Sequence, residues 1–361
     1  MFRRLRVLVL VLLLLPVAAV AQVVSSSASP SVAVDPRIEL LGTVFELAGG
    51  KPGWTPVAET DYHRQRRAQF ARYRHLDAVR MSRDMPGLAW STPAQAIVHF
   101  GPPPGLMPIA SVPEDVVQAM GGRERFMDWM NALRSFAHRT RYMEFFAAQQ
   151  PAFERMAVRT RTALDGIDLV APFERWYGLH GQRYSVIVSP SLLPGAFGPS
   201  VRDDDDRLHF HSIQGMAGVV DGLPWFGDGP AIASLSWHEW GHAIVNPLDA
   251  GARPPLAESA ALYDSMAEDM RKAAYMDWES AANELQVRAA ASRICATTLR
   301  TDAAWRCLEL QHPPSLRGEV YMQRMADGLE TMYEPGRAQY PDYAAFHRIM
   351  LLILRAMASD P

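Results

Sequence analysis

The stretch His238-Glu239-Trp240-Gly241-His242-Ala243-Ile244-Val245-Asn246-Pro247 sets two histidines four residues apart with a glutamate beside the first. On an α-helix that spacing puts both imidazoles on one face, one turn apart, where they can share a cation. Glu239 is then placed to reach a water on the same ion. Zinc lowers the pKa of a bound water toward about 7, and a carboxylate can take its proton during attack on a carbonyl. Five residues thus offer two ligands and a general base.

The flanks favour a buried helix over a solvated one. Ala231, Leu235 and the run Ala243 to Val245 give apolar sides, and Trp240 adds a large packing surface. Gly241 lowers helix propensity by about 1 kcal/mol, which points to a close approach by another element. The residue before a proline is pushed out of the helical region, so the helix is expected over about 230 to 245, ending at Asn246.

A catalytic zinc site needs a third protein ligand. Residues 243 to 252 contain no histidine, which leaves a distant carboxylate: Glu258, Glu268, Glu279 or Glu284. Trp278, Ala282, Leu285 and Ala289 form an apolar stripe at helical spacing, and Glu284 borders it. Arg288 lies one turn on along the same face, placed to hold the Glu284 carboxylate. The plainer alternative is an i,i+4 surface ion pair worth a few tenths of a kcal/mol. Glu258, at the start of the next helix, is the second choice.

Working outward, the first residues read as an export signal. Arg3, Arg4 and Arg6 precede the apolar run Val7 to Pro16, and Ala19-Val20-Ala21 is a small-x-small cleavage site. The apolar run is shorter than the roughly 20 residues of a membrane span. A periplasmic or secreted protein cut after Ala21 is expected, without a stable membrane anchor. The net charge of −3 becomes more negative once the three arginines are lost, so nothing global favours nucleic acid as a partner. An oxidising compartment would permit a disulfide between Cys295 and Cys307, at a gain of roughly 3 kcal/mol; two separate buried thiols are the alternative.

After cleavage, residues 22 to 34 read as a linker, residues 35 to 167 as a helical N-terminal region and residues 168 to 361 as the catalytic region, either separate or continuous. Asp35-Pro36 opens a helix that Gly49-Gly50 stops. Further helices are expected at about 114 to 137 and 139 to 165, and later at 256 to 273, 277 to 294, 318 to 334 and 341 to 358. Tyr184 to Val188 and Leu208 to Gly215 read as strands. His209 and His211 would share one face of the second strand. That strand sits, in chain order, where an edge strand could hold an extended substrate. Tyr321 and Tyr333 are the candidate donors to a developing oxyanion. The acidic run Asp203 to Asp206 lacks the alternating spacing of a calcium loop.

The Arg37-Ile38-Glu39-Leu40-Leu41 to Leu47-Ala48-Gly49 opening resembles a bacterial family known as domain of unknown function 4932. So do the His238–His242 helix running into Val245-Asn246-Pro247 and the segment Glu284-Leu285-Gln286-Val287-Arg288. The family is regarded as zincin-like. The resemblance implies His238 and His242 as ligands, Glu239 as base and Glu284 as third ligand, and leaves the substrate open. The expectation is therefore a mainly helical α+β zincin-like domain with a small antiparallel sheet beside the metal helix. It would be an exported zinc metallopeptidase acting on peptide or protein. The rivals are a zinc hydrolase of another bond and an exported, non-catalytic zinc-binding protein.

Overall fold

The structure, a computed structural model, describes residues 29–312 and 318–359. The expected export signal and the cleavage site lie outside the described residues. No helix among those described is long and apolar enough to cross a membrane.

The chain is mainly helical with small sheets. A strand β1 (Ser31–Ala33) leads into α1 (Pro36–Ala48), α2 (Asp61–Phe70), α3 (Asp77–Asp84), α4 (Thr92–Ile97) and α5 (Glu114–Ala119). Four more helices follow: α6 (Arg123–Arg139), α7 (Tyr142–Ala148), α8 (Gln150–Ala163) and α9 (Val170–Tyr177). Helix α1 begins and ends as its sequence predicts. The Asp35 side chain accepts from the Arg37 amide at 2.8 Å, and Gly49 closes the helix at φ +106°. The two long helices expected from 114 to 165 are each broken. Gly121 and Gly122 adopt positive φ between α5 and α6, and Pro151 sits in the first turn of a new helix, α8.

The strands come next: β2 (Arg183–Ser189), β3 (Ala196–Phe197), β4 (Ser200–Arg202), β5 (Leu208–Gly215) and the hairpin β6 (Gly218–Val220) with β7 (Leu223–Trp225). The main sheet runs β1-β2-β5, with β3 and β4 on the far side of β5. The pairs β1/β2 and β2/β5 are parallel, and only β3 and β4 run antiparallel to β5. The expected antiparallel sheet is thus a mixed one. Parallel neighbours need long crossovers, which helices α1–α9 supply between β1 and β2. β1 also falls inside the expected linker, where buried Val32 holds it on β2. Because β5 is flanked on both sides, the sheet edges are β1 at one end and the β3–β4 segment at the other.

The remaining helices are α10 (Gly229–Gly251), α11 (Arg253–Ala257), α12 (Leu262–Lys272), α13 (Trp278–Thr298), α14 (Thr301–Gln311), α15 (Glu319–Gly328) and α16 (Tyr343–Ser359); a π-helical turn, Leu329–Tyr333, follows α15. Asp228 caps α10, accepting from the Ala231 amide at 3.0 Å. Contrary to expectation, α10 runs through Pro247 to Gly251. Pro247 removes the bond to the Ala243 carbonyl, but both residues line an open cleft where water can serve that group. The turn beyond is gripped from outside. Buried Asp249 accepts from Gln286 Nε2 at 2.7 Å and pairs with His347 Nε2 at 2.6 Å.

Helix α10 packs on β5 and against α13. Gly241 is the point of closest approach: a Cβ there would lie 2.9 Å from the Tyr177 hydroxyl and 3.2 Å from Val287 Cγ1. One cluster of buried side chains runs from Val32 to Met357 through both halves of the chain. Cys295 of α13 and Cys307 of α14 are joined in a disulfide, with Cα atoms 5.8 Å apart. We expect the Cys295→Ser/Cys307→Ser double variant to lose about 3 kcal/mol of stability in urea unfolding. An unchanged midpoint would show that the bond constrains nothing the fold does not already hold.

Candidate metal centre

His238 and His242 project from α10, and Glu284 from α13, the helix it packs against. The two Nε2 atoms stand 3.1 Å apart. Glu284 Oε2 lies 3.5 Å from His238 Nε2 and 3.4 Å from His242 Nε2. Among the described residues, these three form the one group of His, Cys, Asp and Glu side chains arranged to hold an ion. The first choice of third ligand is thus brought to the histidines. Glu258 is not: it pairs with Arg355 at 2.9 Å on the surface. Glu268 and Glu279 are likewise engaged outside, with Lys272 and Arg253.

The outer nitrogens of the imidazoles decide what the inner ones present. His238 Nδ1 faces Gln311 Oε1 at 3.1 Å, and His242 Nδ1 faces Asn246 Oδ1 at 3.1 Å. Gln311 has its orientation set by α10, because its Nε2 donates to the Ser234 carbonyl at 3.2 Å and to Ser234 Oγ at 2.8 Å. Only its oxygen is left for the imidazole, so His238 donates from Nδ1–H. His242 Nδ1 is turned toward Asn246 in the same way, and the two Nε2 atoms face each other. Beside them Glu284 Oε2 is buried with no hydrogen-bond partner. Burial lowers the His242 imidazole, but Glu284 outweighs burial and raises it, so without an ion a proton fills the place among these atoms that a cation would take. Zinc bonds of about 2.0–2.1 Å at tetrahedral angles space their ligand atoms about 3.3 Å apart. The observed separations, 3.1 to 3.5 Å, bracket that value, so the residues present fit the metal.

Glu284 stays charged through a specific partner. Burial opposes its ionisation, yet Arg288 and the two imidazoles outweigh burial and hold the carboxyl well below the usual range. Arg288 Nε donates to Oε1 at 2.5 Å, which leaves Oε2 for the ion. Arg288 Nη1 also donates to the carbonyls of Leu310 and Gln311, each at 3.2 Å, and so closes the end of α14 over the site. Glu239 is shifted the other way. Burial raises it, and the imidazoles only partly offset that. A carboxylate moved toward neutrality suits a group that must both take and return a proton.

The site opens into a cleft of about 770 Å³ whose walls come from both halves of the chain. Trp90, Gln95 and His99 line it from the first half, and the loop Leu192 to Ser200 from the sheet edge. Gly198 touches Glu239 itself. A Cβ there would fall 2.1 Å from the Glu239 carbonyl oxygen and 2.8 Å from Oε2, so no larger residue fits.

The tyrosines expected at the site stand elsewhere. The Tyr321 hydroxyl meets Ser265 Oγ at 3.1 Å, and buried Tyr333 donates to the Trp176 carbonyl. Tyr275 lines the cleft instead, close enough to Glu284 and Arg288 for their charges to act on its hydroxyl. Burial pushes that hydroxyl well above the ordinary tyrosine range, with Glu284 adding to the effect. Ala274 turns the chain at φ +73° to deliver Tyr275, and Tyr263 fixes its carbonyl at 2.8 Å. His209 and His211 do share a face, with rings 4.1 Å apart, but His211 bonds Ser185 Oγ at 2.6 Å and neither lines the cleft. In the acidic run, Asp206 pairs with Arg202, Asp203 and Asp205 with Arg207.

Residues 114–352 match the family described as a domain of unknown function (DUF4932). The chain belongs to that family. The match takes in α10, the Val245-Asn246-Pro247 run and the Glu284–Arg288 segment, whereas the Arg37–Gly49 opening lies outside it. No curated protein and no solved structure matches the chain.

Gln311 and Tyr275 went unnoticed in the linear sequence. Gln311 carries one faint signal: it follows Cys307 by four residues, so a disulfide aimed at α13 turns it toward α10 as well. We expect Gln311→Leu to weaken zinc binding about 10- to 100-fold, measured by competition with a chromogenic chelator. Affinity equal to the parent would mean that His238 needs no outer partner.

Proposed function

We propose that this member of the DUF4932 family is an exported, zincin-like zinc metallohydrolase that cleaves amide bonds in peptides or proteins. The observation that carries the proposal is the convergence of His238, His242 and Glu284 on one point with Glu239 beside it, open to a cleft. A structural zinc is usually closed off by four protein ligands and has no need of a base, whereas a catalytic one keeps a position free. The Cys295–Cys307 disulfide fits an oxidising compartment.

Zinc held by His238, His242 and Glu284 would lower the pKa of a water toward about 7 and polarise a carbonyl. Glu239 accepts the proton of the attacking water and later returns it to the leaving amine. Tyr275 donates its O–H toward the oxygen on which negative charge develops. An extended substrate pairs with the free edge of β3–β4, and Gly198 keeps that edge in contact with the base. The zincin-like reading of the fold rests on the same pairing of a His-Glu-x-x-His helix with the free strand edge along the cleft.

Glu239→Gln is expected to retain zinc and to lose about 10²- to 10⁴-fold in kcat on a panel of quenched peptides and esters. Tyr275→Phe should retain zinc too and lose about 10²-fold or more, with little change in KM. If Glu239→Gln kept both zinc and full hydrolysis, the mechanism would be wrong. Tight zinc with no turnover on any substrate would favour a binding protein.

A further inference from the structure

Beyond the reacting groups, the cleft has a chemical character of its own. None of the residues lining it is Lys or Arg. Its carboxylates are Glu239 and Asp115, and Asp115 is exposed and makes no ion pair with any described residue. Apart from the ion proposed at the centre, a substrate segment bearing acids would find no side-chain cation along these walls to receive it.

One wall carries a large exposed aromatic. Trp90 is 46% exposed and, with Trp305, one of two tryptophans left open to solvent among the described residues. Its backbone sits at φ +52°, a region that bulky residues rarely enter. Two bonds hold it there. The Trp90 amide donates to the Pro52 carbonyl at 2.9 Å, and Trp54 Nε1 donates to the Trp90 carbonyl at 3.0 Å. An uncommon backbone conformation enforced from both sides, with the indole left uncovered, is what a binding surface requires and what folding alone does not.

The indole neighbours the segment that touches Glu239. Gly53 lies between Trp90 and Phe197: a Cβ added there would stand 3.1 Å from Trp90 Cα and 3.2 Å from Phe197 Cζ. Phe197 also faces Trp54, with ring centroids 6.1 Å apart. The next residue, Gly198, presses on Glu239. Trp90, Gly53 and Phe197 thus make a short apolar shelf, and Gly198 carries the same wall on to Glu239. Ala89, Pro113 and Val116 add apolar lining near it, alongside the polar Ser91, Thr92, Gln95 and Asp115.

We propose that Trp90 and Phe197 form a subsite for a bulky apolar side chain of a polypeptide, and that the cleft selects neutral or cationic segments over acidic ones. This rests on the reading of the centre as an amide hydrolase. Binding follows from the area that such a side chain buries against the shelf. Specificity follows from Asp115 and from the lack of Lys and Arg along the lining.

The test uses zinc-loaded Glu239→Gln protein and blocked alanine-rich peptides in which one position is Phe, Leu, Ala, Lys or Glu. Binding is read by fluorescence polarisation, and kcat/KM is measured on the parent. Phe and Leu peptides should bind at least about tenfold tighter than the Ala peptide, and the Glu peptide weakest. Trp90→Ala should collapse the Phe-over-Ala ratio toward one while zinc content and circular dichroism stay unchanged, and Trp90→Phe should restore most of it. A ratio that survives Trp90→Ala in folded protein overturns the proposal. So does preference for the Glu peptide, or binding of chito- or xylo-oligosaccharides in place of every peptide. Trp90-dependent binding without cleavage by the parent would sink the hydrolase reading and leave the subsite standing. Cleavage with no side-chain preference would do the reverse.

Discussion

Arg288 holds one oxygen of a fully buried Glu284 carboxylate at 2.5 Å and leaves the other facing two imidazoles. An isolated ionised carboxylate in such a place costs several kcal/mol in lost solvation, and removing one member of a buried pair costs roughly 3–5 kcal/mol. The fold meets that cost with geometry. Arg288 lies one turn from Glu284 on the same helix, so the pair forms wherever α13 forms. Its remaining donor reaches the end of α14, which carries Gln311, the residue that sets the tautomer of His238. Charge, tautomer and ligand direction are thus fixed through one arginine and one amide.

Around that centre, the N-terminal helices hold the opposite wall of the cleft. Glu39 on α1 is buried and accepts from Ser189 Oγ at 2.5 Å, and from Ser191 Oγ and the Tyr62 hydroxyl, each at 2.6 Å. Arg66 stands 3.5 Å away from it. His63 accepts the Thr60 amide at Nδ1, so its Nε2–H donates to the Pro190 carbonyl at 2.9 Å. Burial pushes this imidazole below its ordinary range, which favours the neutral tautomer that the two bonds require. Ser189, Pro190 and Ser191 run directly into Leu192 and Leu193 of the cleft wall. The first half therefore clamps the loop that walls the cleft, and so shapes the site without placing a side chain in the metal-binding group.

What could be read from the sequence was what local spacing encodes. His238, Glu239 and His242 share a helical face by their i,i+4 placement, and Glu284 was legible because an apolar stripe and Arg288 marked it. Gly241 signalled close approach, and Val287 with Tyr177 is what it approaches. What could not be read depends on the rest of the chain. Whether β2 and β5 run parallel is settled by crossovers that no strand pattern records. Pro247 stays within α10 because Gln286 and His347 seize Asp249 from two other helices. Tyr275 reaches the centre through a turn at Ala274, whose positive φ nothing in its residue type foretells. The breaks at Gly121-Gly122 and Pro151 are of a third kind: the residues that make them stand in the sequence, overshadowed by helical periodicity on either side.

The central claim is that α10 and α13 together build one zinc site with Glu284 as the third ligand. It is tested most directly by elemental analysis of the purified protein beside its Glu284→Ala and Glu258→Ala variants. The account predicts one zinc per chain in the parent and in Glu258→Ala, and none retained in Glu284→Ala. A parent that stays metal-free when zinc is offered, or a Glu284→Ala variant that holds zinc as the parent does, would contradict it.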